Sequence, residues 1–96
     1  MLVLVSYDVS TTDSAGKRRL HSVAKACKDF GNRVQNSVFE CDVDPAQWER
    51  LKVRLLALIE EADDSLRFYF LGSNWKSRIE HYGVQKGPDA DELLLI

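Results

Sequence analysis

The chain opens on an almost unbroken apolar run, Leu2-Val3-Leu4-Val5, which passes through Ser6 and Tyr7 and stops at Asp8. Such a run reads as a strand covered on both faces. The period then changes. Leu20, Val23, Ala24 and Cys27 recur at helical spacing, Asp13 or Ser14 offers an N-cap and Gly31 a stop, which predicts a helix over about 14–30. Val34, Val38, Phe39, Cys41 and Val43 favour extended structure, interrupted at Asn36-Ser37, so 33–43 reads as a strand pair or a sharply bulged hairpin. Asp44-Pro45-Ala46-Gln47 has the cap, first-turn proline and capping-box partner of a helix start. Trp48, Leu51, Leu55, Leu58, Ile59 and Ala62 line one side of that second helix, which is expected to end near Ala62. Asp63-Asp64 reads as a turn, Leu66 to Leu71 as a strand ending at Gly72, and Arg78 to Val84 as a short fifth strand.

Strand, helix, strand, strand, helix, strand is the α+β, ferredoxin-like βαββαβ pattern, here with a short extra C-terminal strand. In that architecture both helices cover one sheet face, yet the first and fourth strands carry apolar or aromatic residues on both. A second copy of the chain is the economical cover, so a two-fold homodimer is expected. Residues 1–84 are expected to form the domain and 85–96 a tail. Its end, Leu93-Leu94-Leu95-Ile96, docks either as an edge strand on the partner's sheet at the dimer interface or on its own subunit.

With 96 residues, the chain is near the lower edge of what one hydrophobic core stabilises unaided, which also favours a partner subunit. No segment approaches the roughly 20 apolar residues of a membrane span, and the first run is too short and lacks the basic leader of a signal peptide; a cytoplasmic location without membrane partners is expected. Cys27 and Cys41 have no CxxC spacing and read as reduced packing residues, while His21 and His81 lack metal-ligand spacing. Trp48 and Trp75 also read as packing residues. The net charge is −2, yet Lys17, Arg18, Arg19, Lys25 and Lys28 share a stretch without a single acid. This basic face suits phosphate contacts, or is simply a solvated helix face. Glu40, Asp42, Asp44, Glu60, Glu61, Asp63 and Asp64 make an acidic half suited to a basic partner.

Asp8 is the candidate for chemistry. Alone it reads as a turn or cap residue, since Ser10, Thr11, Thr12 and Asp13 follow. A magnesium ion takes oxygen ligands from one or two carboxylates, waters and substrate phosphates, so one aspartate is too little. Two Asp8 side chains converging across a dimer axis would make a site for one shared Mg2+ or two, suited to phosphodiester hydrolysis. There is no GxSxG motif, and Gly16-Lys17 lacks the rest of a phosphate loop, which sets aside serine-based catalysis and nucleoside triphosphate hydrolysis. The basic-glycine-aromatic signature of an RNA-recognition sheet is also missing.

Val5-Ser6-Tyr7-Asp8, Arg19-Leu20, Gly31 to Glu40 and Asp64 to Leu71 together resemble the small CRISPR-associated adaptation protein family, Cas-two, over residues 2 to about 82. The most specific segment is Arg33-Val34-Gln35-Asn36-Ser37-Val38-Phe39-Glu40. The resemblance implies a ferredoxin-like homodimer of spacer acquisition that bridges copies of the CRISPR integrase and holds double-stranded DNA. It also implies a magnesium-dependent endonuclease acting on single-stranded RNA or on duplex DNA. Carried across residue by residue, Asp8 is the metal-binding and catalytic acid and Tyr7 its neighbour. Lys17, Arg19 and Arg33 fall near the family's basic positions, with Arg18 beside them, and Ser37 and Phe39 lie in its second motif. From its neighbours Phe39 reads as core more than as a stacking platform, and Tyr7 as either a seam residue or a phosphate contact. The competing readings are a toxin-like ribonuclease of the related virulence-associated family and a small-ligand-sensing ferredoxin-like module.

Overall fold

The computed structural model describes residues 1–72 and 79–84. The elements are β1 (Leu2–Asp8), α1 (Ser14–Phe30), β2 (Asn32–Gln35), β3 (Val38–Asp42), α2 (Pro45–Leu58), β4 (Ser65–Phe70) and β5 (Ile79–Gly83). They form one five-stranded sheet in the order β2-β3-β1-β4-β5, with every neighbouring pair antiparallel. The expected ferredoxin-like α+β architecture with an added edge strand is therefore present. The expected tail and Trp75 lie outside the described residues.

Local chemistry sets most boundaries. Asp13 caps α1, its Oδ1 accepting from the Gly16 N–H at 2.7 Å. At α2 the capping box closes both ways: Gln47 N–H donates to Asp44 Oδ1 at 2.7 Å and Asp44 N–H to Gln47 Oε1 at 2.9 Å. The end of α2 differs from the expectation. The helix stops at Leu58, four residues before Ala62, because Ile59 turns extended and the Glu60 N–H is taken by the Asp64 carboxylate at 2.9 Å. Glu60, Glu61 and Asp63 would also have set negative charge against the negative end of the helix dipole.

Val3, Val5 and Tyr7 on β1 pair with Phe70, Phe68 and Leu66 on β4, and all six face the helices in the core. Trp48 of α2 lies edge-on to Phe68 and Phe70, with ring centres 4.7 and 5.4 Å apart, a favourable aromatic geometry that bears out its packing role. Cys27 and Cys41 are free and buried. Burial pushes their thiols up to about 12 and about 11, so neither is a nucleophile at neutral pH.

The opposite face is more polar. β4 is buried throughout, and Tyr69 is fully buried although it points away from the helices. Beside it Arg67 Nε donates to His81 Nδ1 at 3.1 Å. Nδ1 accepts in that bond, which leaves Nε2 to face the carbonyls of Gly83 and Val84 at 3.1 and 3.0 Å. At the edge, Lys52 Nζ meets Glu80 Oε1 at 3.1 Å and tethers α2 to β5.

Gly83 closes β5 with φ of +93°, and a Cβ there would run into the Asp64 carbonyl. Gly83→Ala should therefore cost at least about 2 kcal/mol, from left-handed backbone strain plus the clash. A urea midpoint unchanged by the substitution would contradict this geometry.

Candidate nucleic-acid interface

The pleat of β1 separates two neighbours that sequence treats as one motif. Tyr7 points to the helix side and is buried, whereas Asp8, opposite Ser65 in the register, is exposed on the other face. The candidate site residues accordingly fall into two groups.

The helix-side group is assembled around the β2–β3 turn. The register slips between Arg33 and Gln35, a bulge at Val34, and Ser37 adopts φ of +64° to close the turn. This bends Ser37 back so that its carbonyl accepts the Tyr7 N–H at 3.0 Å. Arg33 pairs with Phe39 across the hairpin, its guanidinium carbon 5.2 Å from the ring centre, and Phe39 in turn stacks with Tyr7 at 6.2 Å. Phe39 is 2% exposed, which makes it the expected core residue and a support for Arg33, with no free face for a base. Burial and the neighbouring Cys27 push the Tyr7 phenol upward, against the charge and hydrogen bond of Arg33.

An open groove of about 520 Å³ runs between this turn and α1. Lys17, Leu20, His21 and Ala24 line one wall, at the spacing of one helix face; Arg33, Asn36 and Ser37 line the other, with Tyr7 between. Thus Tyr7, Lys17, Arg33 and Ser37 come together in one groove. His21 and Asn36, which sequence reasoning gave no role in binding, join them. Among the described residues neither Lys17 nor Arg33 has a carboxylate partner. Arg18 is exposed on α1 outside this groove.

Arg19 is placed differently. Its Nε and Nη2 donate to Asp64 Oδ2 and Oδ1 at 2.9 and 3.3 Å. Asp64 is fully buried and also accepts the backbone N–H groups of Ser10 at 3.0 Å and Glu60 at 2.9 Å. Burial raises the Asp64 pKa most strongly of any single influence, but the Arg19 and backbone hydrogen bonds together outweigh it and hold the carboxyl below the ordinary carboxylate range. Asp64, read from sequence as a turn acid, is the buried junction of the β1–α1 loop, α1 and the end of α2. No local pattern marks it; only its position before a wholly buried strand hints at burial.

Asp8 offers hard oxygen donors suited to Mg2+. Among the described residues no group of three or more His, Cys, Asp or Glu side chains is placed to hold a metal.

The model of the CRISPR associated protein Cas2 family matches residues 1–79. The CRISPR-associated endoribonuclease Cas2 of Nitratidesulfovibrio vulgaris is 55% identical over 96 residues, covering 100% of this chain and 94% of that protein. The CRISPR-associated endonuclease Cas2 of Halalkalibacterium halodurans is 52% identical over 95 residues, covering 99% of each. Among solved structures, Streptococcus pyogenes Cas2 at pH 6.5 superposes with a TM-score of 0.70 at 57% identity, covering 86% of this chain and 100% of that one. A family match over most of the length, full-length relatives above half identity and the same fold converge: the chain belongs to the CRISPR associated protein Cas2 family.

Proposed function

We propose that this chain is a subunit of CRISPR spacer acquisition that works in the cytoplasm as a homodimer, binds nucleic acid and bridges copies of the integrase. The observation that carries the reading is the pair of cations, Lys17 and Arg33, brought to one groove without carboxylate partners among the described residues, on a chain of net charge −2. A cationic groove on an acidic protein suits phosphate binding at one face and leaves the acidic remainder for a basic protein partner. Arg18 extends the cationic face along α1.

A metal-dependent endonuclease activity is the second part of the proposal, supported by the names of the relatives and by the exposed carboxylate of Asp8. The Asp8 residues of two copies, meeting across the sheet faces that carry no helices, would hold Mg2+. When bound, the ion would acidify water and neutralise charge building on a phosphate. Asp8 would hold and orient that ion, while Lys17, Arg18 and Arg33 anchor the nucleic acid. Binding and cleavage are separable, because the two groups occupy opposite sheet faces.

The test is a pull-down with the candidate integrase together with a spacer-integration assay. The unaltered chain should co-purify with the integrase and support integration, and Lys17→Ala combined with Arg18→Ala should weaken duplex binding with a shallower salt dependence. Failure to support integration, or an unchanged salt slope in the double variant, counts against the adaptation role or the basic face respectively.

A further inference from the structure

Asp8 is held from one side. The ladder between β1 and β3 ends at the pairing of Ser6 with Val38 and the bond from the Tyr7 N–H to the Ser37 carbonyl, so among the described residues the strand neighbour of Asp8 is Ser65 of β4. What fixes the chain beyond Asp8 therefore decides where its carboxylate stands. Val9 turns into the core, and the next N–H, that of Ser10, is accepted by Asp64 Oδ1 at 3.0 Å. Asp64 directly precedes Ser65. It grips the end of β1 from the position next to the strand partner of Asp8 itself. The backbone of Asp64 is fixed in turn, its N–H donating to the Glu60 carbonyl at 2.8 Å and its carbonyl accepting from Val84 at 3.0 Å. Its carboxylate is oriented by Arg19, whose planar fork meets both oxygens at 2.9 and 3.3 Å.

We infer that Asp64 and Arg19 are positioning residues for Asp8: the pair fixes the loop that leaves β1, and with it the direction in which the Asp8 carboxylate is offered to a divalent cation. The inference rests on the metal-holding reading of Asp8 above and adds the residues on which that site depends. Functional side chains must be held within about 0.5 Å of their working geometry by the groups behind them. A site built from one carboxylate of each copy needs both aimed before the ion arrives. The inference also separates Arg19 from the other cations of α1. Its guanidinium is committed to a fully buried acid, so it gives the cationic face no phosphate contact, unlike Lys17 and Arg18.

Calorimetric titration of the full chain with Mn2+, a hard cation standing in for Mg2+, tests the assignment on variants shown to be folded by circular dichroism. Asp8→Ala should abolish binding. Arg19→Gln and Asp64→Asn should each weaken it at least about tenfold, the lower end of what supporting residues contribute at metal sites. Leu51→Ala opens a cavity in the core under α2 and destabilises the fold away from the junction, and should change Mn2+ binding less than about threefold. Cleavage should divide the same way, with kcat of Arg19→Gln down about tenfold and KM for the nucleic acid within about twofold. Duplex binding by Arg19→Gln should keep the log-log salt slope of the unaltered chain, whereas Lys17→Gln makes it shallower by about 0.9. Should Arg19→Gln not fold, Arg19→Lys takes its place: it keeps the charge, loses the two-point grip and should weaken Mn2+ binding at least about threefold. Mn2+ binding unchanged in the junction variants, a loss matched by Leu51→Ala, or a salt slope that Arg19→Gln lowers as Lys17→Gln does overturns the positioning role. The metal reading then stands, provided Asp8→Ala abolishes binding. If Mn2+ binding survives Asp8→Ala, or the unaltered chain binds none, both fall.

Discussion

Asp64→Ala should destabilise the folded chain by about 3–5 kcal/mol, the range for breaking a buried charge pair by removing one partner. A domain of this size holds roughly 5–14 kcal/mol in all, so the variant sits near the edge of folding. The cost arises on three elements at once. The Ser10 and Glu60 N–H groups lose their acceptor, and Arg19 loses the partner of its Nε and Nη2. The contrast is the Asp29–Arg54 bridge between the helices, as short at 2.8 Å but with both side chains well exposed, where substitution should cost less than about 1 kcal/mol. Urea titrations of the two variants side by side decide the matter; an Asp64→Ala loss below about 1 kcal/mol would remove the junction from the stability of the fold. Acid provides a second check. Because the folded-state pKa of Asp64 lies below its unfolded value, its contribution is fully present above about pH 5 and is lost as pH falls past the unfolded value of about 3.9 and on through the lower folded one. The variant should lack that component of acid unfolding.

Asp8→Ala should abolish metal-dependent cleavage, a fall of at least about a hundredfold, while leaving stability and duplex binding within about twofold. The size follows from losing charge stabilisation worth several kcal/mol at a reacting phosphate. Selectivity follows from placement: Asp8 is exposed, so removing its carboxylate leaves no buried partner stranded, and it faces away from the groove of Lys17 and Arg33. Mixed dimers of altered and unaltered chains sharpen the experiment. If two carboxylates share one ion, a single Asp8→Ala copy suffices to silence the pair; independent sites would retain half the rate. Full cleavage by the variant homodimer, prepared free of host nucleases, would end the assignment of Asp8 as the metal-holding acid.

Element order, both helix starts and the interrupted hairpin were legible because each is written locally. Asp13 and Asp44 cap, Gln47 completes a box, and Asn36-Ser37 breaks an extended run. The end of α2 was not, since the apolar spacing continues to Ala62 while the backbone is diverted by an acid at position 64 that acts through tertiary contact. The same reason hid Asp64 among the other acids of its half. Within the candidate site, sequence named Lys17, Arg18, Arg19 and Arg33 for nucleic-acid contact with Tyr7, Ser37 and Phe39 in support, and the groove is lined by Tyr7, Lys17, Arg33 and Ser37 of these. Arg19 sits on the same helix and carries the same charge, but its guanidinium is engaged by a residue 45 positions away, which no periodicity reveals. Tyr7 and Asp8 illustrate the converse: adjacency in the chain suggests one site, whereas strand alternation assigns them to opposite faces.

The Asp64 junction also sets an order of events during synthesis. Its bonds to Ser10 and Arg19 span 54 and 45 residues, so the loop that follows Asp8 is complete in sequence long before the acid that fastens it has been made. Helix α1 and the β2–β3 hairpin are complete in sequence before β4 begins, but the Ser10 and Arg19 anchors wait for Asp64 at its start. The cationic residues of α1 and β2 are therefore all synthesised before the segment beside Asp8 can be locked. A chain halted short of Asp64 would carry the basic residues of α1 and β2 without the acid that fastens the loop after Asp8.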